Sequence, residues 1–368
     1  MITQALHEVE ESDKALAAAF ERRLDAIKVI AEYRREHGIP VPAEPDGGER
    51  AQELSAVITD AEKRPYYMSF FQGALSASEK YHRRIMQGVR VAYTGVKGAF
   101  ANIAASRIFP EGEMVSYPDF AASYTAVERG ECDCAVLPIE NSYAGEVGQV
   151  IELMFSGKLY IGGVYSLRVK HNLLGLRGST PSGVKKVVSH PQALHQCAPY
   201  IQAHGYECIQ ETNTAVAAQR VAEGGDPTVA AIASAETAKL YGLEVLDHDI
   251  NESGDNTTRF AVFSRTPNID EDHRDRSRFL LMFILQNVPG ALASAINVIS
   301  SYGFNMKVIR SRPIKEPAWE YYFYVEAEGD EESENGRRMI SELRQHCRVL
   351  KVVGHYSDDI RLGASSII

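Results

Sequence analysis

The sequence lacks several features that would settle its class at once. No apolar run approaches the ~20 residues a membrane-spanning helix needs; the longest clear one is Phe279–Leu285. Positive charge is in deficit. Against 49 Asp and Glu stand 39 Lys and Arg, a formal net charge of −10, which argues against a nucleic-acid partner. Five scattered cysteines form no CxxC pair and no His/Cys cluster at zinc spacing. That excludes a disulfide framework, argues against a metal site and points to a reducing cytoplasm. Gly95-Val96-Lys97-Gly98 lacks both the third glycine of a dinucleotide fingerprint and the Gly-Lys-Ser/Thr of a P-loop, so no nucleotide cofactor is expected. The opening MITQALHEVEESDK is acidic without an apolar core, so we expect no secretory leader and no membrane attachment.

What is present is 368 residues, 45% hydrophobic and 24% charged. Those fractions belong to a globular chain, and at roughly 150 residues per domain the length implies two or three domains. The first ninety residues carry almost no strand signal. Leu16, Phe20, Leu24, Ile27 and Ala31 recur at helical spacing up to a Gly38/Pro40 stop. After a polar loop, Leu54, Val57, Ile58 and Ala61 predict a short helix, and Pro65 opens a third with Tyr67, Phe70, Phe71, Ala74, Leu75, Ser78, Tyr81 and Ile85 on one face. Three such helices bury little core alone, so we expect pairing with a second copy.

From Val89 strands alternate with helices, which predicts βαβ units. Strands are expected at Arg90–Thr94, Met114–Tyr117, Cys134–Leu137, Gly163–Arg168, Val187–Val188, Cys208–Glu211, Val229–Ala233 and Phe260–Ser264. Helices are expected from Gly98 through Ala105 and at Phe120–Arg129, Gln192–Ala203 and Ala215–Ala222. Thr266–Ser277 is charged and aperiodic, a linker. Beyond it the order is βαββαβ, a ferredoxin-like sandwich. The fold class is therefore multi-domain: all-α at 1–88, a two-lobed α/β domain at 89–266 and an α+β domain at 277–360.

Three strands of the middle domain end in small polar residues that read as helix caps: Asn141-Ser142, Ser189-His190-Pro191 and Asn213-Thr214. Each helix start would offer N–H groups backed by the helix dipole, an anion site, and parallel strands would gather all three at one sheet edge. Taken singly each is an ordinary cap; taken together they predict a carboxylate-binding cleft. On composition alone Thr258 is a plain β-former and Arg259 a surface charge.

Val136-Leu137-Pro138-Ile139-Glu140-Asn141-Ser142, Ser189-His190-Pro191-Gln192, Asn213-Thr214-Ala215 and Thr258-Arg259-Phe260, in that order and spacing, resemble prephenate dehydratase. Tyr93–Phe100 is similar to that family's opening motif, although Ala101 stands where the family often has Ser or Thr. Gly290-Ala291-Leu292 and Ser311-Arg312-Pro313 resemble an ACT regulatory module, with Arg310 where Glu is usual. The N-terminal helices look like an all-helical chorismate mutase. Glu21-Arg22-Arg23 matches its first helix, Arg50 falls near its second-helix arginine, and Ser78 and His82 align with a Ser/Gln pair. Tyr33, beside Arg34 and Arg35, replaces an expected lysine.

The resemblance implies a cofactor-free enzyme of phenylalanine biosynthesis that turns prephenate into phenylpyruvate, CO2 and water. Asn141, Ser142, Ser189, His190, Gln192, Asn213 and Thr214 would bind prephenate. Thr258 would donate a hydrogen bond or relay a proton to the leaving hydroxyl, Arg259 would orient Thr258 or pair with a carboxylate, and Phe260 would floor the ring. Arg22, Arg34, Arg50, Ser78 and His82 would form a chorismate site. Phenylalanine would bind at Gly290, Ala291, Leu292, Asn305, Ser311, Arg312 and Pro313 as a feedback effector of a homodimer or homotetramer. The alternatives are a monofunctional dehydratase with a non-catalytic helical domain, and a non-catalytic amino-acid or solute-binding sensor.

Overall fold

The structure is a computed structural model that describes residues 1–36, 52, 54–252, 254–267, 277–314, 321–357 and 360–363. The chain divides into two compact units: Met1–Arg90 with Glu111–Glu113, and Val91–Pro110 with the described residues from Met114 onward.

The first unit is helical. Helix α1 (Ile2–Glu36) and helix α2 (Arg64–Gln87, opened by Pro65) form its frame. The short helix expected between them is only partly there: Leu54 and Ser55 are helical, but Ala56 and Val57 already turn. Among the described residues of this unit Ala31, Ser78 and His82 are buried, and Tyr67 stacks on Phe71 with the Arg23 guanidinium over the Phe71 ring. Leu6, Val9, Leu16, Val29, Ile30, Tyr66 and Phe70 stay exposed, so two helices leave much of their apolar surface uncovered.

The second unit holds three sheets. One lobe contains β1 (Arg90–Thr94), β2 (Glu113–Tyr117), β3 (Cys134–Asn141), the two-residue β4 (Gly145–Glu146), β5 (Tyr160–Arg168) and β11 (Thr257–Ser264). With α3 (Phe100–Ile108), α4 (Phe120–Glu128) and α5 (Gly148–Ser156) it makes a sheet of order β16-β5-β11-β3-β1-β2. Its edge strand β16 (Ile360–Leu362) comes from the far end of the chain and runs parallel to β5; nothing in three residues of sequence announced it.

The other lobe contains β6 (Asn172–Gly175), β7 (Lys186–Ser189), α6 (Pro191–Gln196), α7 (Ala198–His204), β8 (Glu207–Gln210), α8 (Thr214–Gly224), β9 (Val229–Ala233), α9 (Ala235–Tyr241) and β10 (Glu244–Asp247), in sheet order β10-β6-β9-β7-β8. The expected single helix over Gln192–Ala203 is broken at Cys197. Pro199 has no N–H to give and its ring clashes with the carbonyl four residues back, so the chain restarts as a second helix.

The C-terminal part follows the expected βαββαβ order: β12 (Ser277–Leu285), α10 (Ala291–Ser301), β13 (Asn305–Pro313), β14 (Tyr321–Glu328), α11 (Glu334–His346) and β15 (Cys347–Ser357). They form an antiparallel sheet of order β13-β14-β12-β15. The unbroken apolar run of β12 now has its reason, because a strand covered on both faces need not alternate. Phe279, Leu281, Phe283 and Leu285 pack under α10 and α11. Leu280, Met282 and Ile284 share one core with Leu137, Ile161 and Phe263 of the first lobe. The two modules thus bury apolar surface against each other.

At that junction Gly354 (φ +146°) runs so close to β5 that a Cβ would stand 2.3 Å from the Ile161 carbonyl oxygen. Backbone on both sides leaves nothing flexible to give way. Gly354→Ala is expected to cost about 2–3 kcal/mol, read as a lower urea midpoint at unchanged slope; an unaltered midpoint would show that the sheets separate freely here.

Candidate active site

A cavity of about 610 Å³ lies between the two lobes of the second unit, within the range of small-ligand sites. Seven of the expected dehydratase residues line it: Asn141, His190, Gln192, Asn213, Thr214, Thr258 and Phe260. Among the described residues lining the cavity there is no lysine or arginine. Its electropositive features are the starts of α3 and α8. Helix α3 begins at Ala99 with no side-chain cap, and α8 begins at Asn213, whose Oδ1 accepts from the Ala215 N–H. Gly95 and Gly98, both with positive φ, let the α3 turn reach the other lobe. The Gly98 carbonyl accepts from Thr237 Oγ1 at 2.9 Å, and a Cβ at Gly98 would meet Leu240 at 2.9 Å.

Three expectations need correction. Asn141-Ser142 does not cap a helix: β3 turns back as β4, which pairs with it antiparallel, and α5 starts only at Gly148. Ser142 Oγ instead donates to the Asp255 carbonyl (3.2 Å) and accepts from the Thr257 N–H (3.0 Å), away from the cavity lining. Ser189 is wholly buried and its hydroxyl is spent on the Ile232 carbonyl at 2.6 Å; the cap of α6 is His190, whose Nδ1 accepts from the Gln192 N–H. Arg259 is absent from the lining as well. Alternation along β11 turns Thr258 and Phe260 toward the cavity and Arg259 to the opposite face. There it meets Glu140 and Glu326, so it does not pair with a carboxylate in the cavity.

Asn141 is the pivot of the site. Its Oδ1 accepts from the N–H groups of Tyr143 (3.0 Å) and Ala144 (2.9 Å), an Asx turn that fixes which end of the amide is which. Its Nδ2 therefore donates, to Thr258 Oγ1 at 2.9 Å and to Asn256 Oδ1 at 2.9 Å. Asn256 Nδ2 then donates to Gln196 Oε1 (2.9 Å), and the same oxygen must accept from His171 Nε2 (2.8 Å). Donation spreads from Asn141 in two directions and converges on Gln196 Oε1, which receives one hydrogen from Asn256 and one from His171. Because Thr258 Oγ1 receives a hydrogen, its own O–H is left to point elsewhere.

His171, Gln196 and Asn256 were not among the expected site residues, yet each is at most 5% exposed and lines the cavity. The signals were present but ordinary. Gln196 follows Gln192 by one helical turn, Asn256 precedes Thr258 by two positions, and His171 stands between Lys170 and Asn172 just before an apolar stretch. Burial pushes the imidazole of His171 below its usual pKa, only partly offset by Gln196, and burial lowers His190 too.

Of the remaining expected residues, Arg23 rather than Arg22 faces α2. It shares a helical face with Ile27, Ala31 and Arg34, and its Nε donates to Ser78 Oγ at 3.0 Å, whereas Arg22 lies a third of a turn away, exposed. Arg34 Nη1 reaches His82 Nε2 at 3.4 Å, and burial, then the Arg34 charge, lowers the His82 pKa. Arg50 lies outside the described residues. In the C-terminal sheet Gly290 caps α10 in the left-handed region, with Ala291 and Leu292 packed on the core beneath. β12 and β13 both run antiparallel to β14, which places Ser311–Pro313 at the Gly290 end of the sheet and Asn305 at the other. Within one chain these residues are thus two places. Asn305 Nδ2 donates to Glu328 and Arg312 pairs with Glu146.

A lowered histidine pKa fixes the sign of a pH effect. Above the free value of 6.5 the imidazole is neutral folded or unfolded; below it only the unfolded chain gains the proton, so stability is lost as the pH drops below that value. His355, raised by Glu331, contributes with the opposite sign. The stability lost on His171→Gln is therefore expected to be smaller at pH 5 than at pH 8 by chemical denaturation; an equal loss would show that His171 titrates normally.

Residues 91–268 match the family described as prephenate dehydratase. Arogenate dehydratase/prephenate dehydratase 2, chloroplastic, of Arabidopsis thaliana is 34% identical over 323 residues, covering 85% of this chain and 83% of its own. The bifunctional chorismate mutase/prephenate dehydratase of Aquifex aeolicus (strain VF5) is 29% identical over 368 residues, covering 95% and 96%. The solved prephenate dehydratase of Arthrobacter aurescens, in complex with L-Phe, superposes with a TM-score of 0.67 at 25% identity over 73% of this chain and 90% of that one. A cleft of helix starts, that of α3 without a side-chain cap, around one directed threonine therefore has its family: the chain belongs to the prephenate dehydratases.

Proposed function

We propose that the interlobe cavity binds prephenate as a dianion and that Thr258 assists departure of the ring hydroxyl. Loss of CO2 leaves its bonding electron pair in the ring, which aromatises as the hydroxyl leaves; the hydroxyl takes up one proton and departs as water. Aromatisation supplies the driving force, so the protein must hold two carboxylates and neutralise a developing hydroxide. With no lysine or arginine among the described residues of the lining, the N–H groups at the starts of α3 and α8, with the His190 and Gln192 turn, are what can face the carboxylates. The observation that carries the reading is the one-way donation from Asn141 Nδ2 into Thr258 Oγ1. It frees the threonine hydrogen for the leaving oxygen and makes that hydroxyl a better donor by polarising it. A threonine is too weak an acid to give up its proton outright, so the proton comes through Thr258 from water. Phe260, 2% exposed, lies under the ring, and Arg259 orients Thr258 from the far side of the strand.

The helical unit is read as a chorismate mutase. Arg23 with Ser78 and Arg34 with His82 place two cations beside polar side chains on one helix pair, a dianion site that needs binding rather than a base. Its exposed apolar residues are the ones a second copy would cover, in a homodimer or homotetramer. The C-terminal sheet is read as an ACT module that takes phenylalanine at Gly290–Leu292 and Ser311–Pro313 of one copy, with Asn305 contributed across a pairing of two such sheets. Among the described residues no helix is long and apolar enough to cross a membrane, which fits a cytoplasmic enzyme.

Thr258→Ala is expected to lower kcat for prephenate by about 10²–10⁴ with KM little changed, followed by phenylpyruvate formation; turnover within a few-fold of wild type would overturn the role of Thr258. Fed chorismate alone, the enzyme is expected to form phenylpyruvate, and Arg23→Ala is expected to abolish that while leaving prephenate turnover intact. Turnover of prephenate but not of chorismate would make the helical unit non-catalytic.

A further inference from the structure

The β3–β11 ladder pairs Thr258 with Asn141 and, one step on, Arg259 with Glu140. The first pair faces the cavity. The second faces the C-terminal sheet, and that sheet grips it. Arg259 Nη1 donates to Glu140 Oε2 (3.0 Å) and Glu326 Oε1 (3.1 Å), while its Nη2 donates to Glu326 Oε2 (3.0 Å) and the Tyr356 hydroxyl (3.3 Å). Glu326 is 1% exposed and also accepts from the hydroxyls of Tyr356 (2.9 Å) and Tyr324. Burial alone would push its pKa up, but the Arg259 guanidinium together with the Tyr324 and Tyr356 hydroxyls turns the net shift downward, so Glu326 stays ionised. On the other side of the ladder Arg310 pairs with Glu140, and both Arg310 and Arg312 with Glu146 at the end of the β4 hairpin.

Three strands of the C-terminal sheet (β13, β14 and β15) therefore end in charge-assisted contacts to the residues next to Asn141 and Thr258. Such contacts are directional and bidentate, and they set the position of a backbone rather than merely gluing two surfaces. We propose that Glu326 is a positioning residue for the dehydratase: through Arg259 the C-terminal sheet fixes β11 at Thr258, and a shift of that sheet on effector binding reaches the leaving-group hydroxyl by this ion pair. The proposal rests on Thr258 acting at the leaving hydroxyl. It gives Arg310 a purpose in this chain, since an arginine at that place ties β13 to Glu140 where a glutamate would repel it.

The test uses the full chain with prephenate, and Glu326→Gln, which keeps the shape and removes the charge. Misplacing a reacting group by about 1 Å costs about 10²-fold, so kcat is expected to fall about 10–100-fold while KM stays within about threefold. Phenylalanine, its binding followed by calorimetry, is expected still to bind but to change the variant's kcat less than it changes the wild type's. Wild-type kcat with an undiminished phenylalanine response, or a loss confined to KM or to melting temperature, would overturn the proposal. Should Glu326→Gln not fold, Tyr356→Phe removes one contact to each partner and is expected to show the same split at smaller size. The double variant with Thr258→Ala separates the two claims: if both act through one hydroxyl, Glu326→Gln costs less in that background than in wild type. An inactive Thr258→Ala with an additive double variant defeats the positioning role alone; a fully active Thr258→Ala defeats the reading beneath it.

Discussion

The side chain of Asn141 has its oxygen taken by two backbone N–H groups and its nitrogen turned toward Thr258. Everything chemical in the cavity follows from that constraint. A free asparagine has two equivalent orientations; this one has none to choose, because the turn after β3 decides for it. The decision then passes along Asn256 and Gln196 to His171, where it fixes which ring nitrogen carries the hydrogen. Buried polar groups are costly unless paired; here each donated hydrogen has a fixed acceptor, while His171 Nδ1 has no hydrogen-bond partner among the described residues.

The electrostatics of the cleft are unusual for a site proposed to take a doubly negative molecule. Its lining, among the described residues, offers backbone dipoles and neutral amides, and the guanidinium closest in sequence to Thr258 is engaged on the other face of the sheet. Fixed dipoles bind an anion without requiring a flexible charged side chain to be ordered. The aromatic product and CO2 have fewer charges to hold than the substrate, so a moderate field favours release as well as capture.

Much of this was legible from residues alone. Strand–helix alternation located both lobes, and the βαββαβ order of the C-terminal sheet read directly from the sequence, because long elements with a strong apolar period leave few alternatives. The motif residues Asn141, His190, Gln192, Asn213, Thr214, Thr258 and Phe260 do converge. What misled were local rules applied without the third dimension. Ser142 and Ser189 look like caps, but a cap is decided by where the next backbone goes: in one case into a hairpin, in the other past a buried carbonyl. Arg22 and Arg23 differ only in helical phase, which a single residue of register decides. Of the two roles expected of Arg259, pairing with a carboxylate in the cavity fails because strand neighbours face apart. His171 and Gln196 carried no signal beyond their polarity, since the contacts that matter to them span lobes.

The short strand β16 alters how the C-terminal sheet can move. The polypeptide leaves the catalytic sheet from β11 and comes back to it beside β5, and these two strands are adjacent. A module moored at both ends to neighbouring ribbons cannot swing away like a domain on a single leash. Its two points of return to the first lobe lie side by side, and β11, which carries Thr258, is one of them.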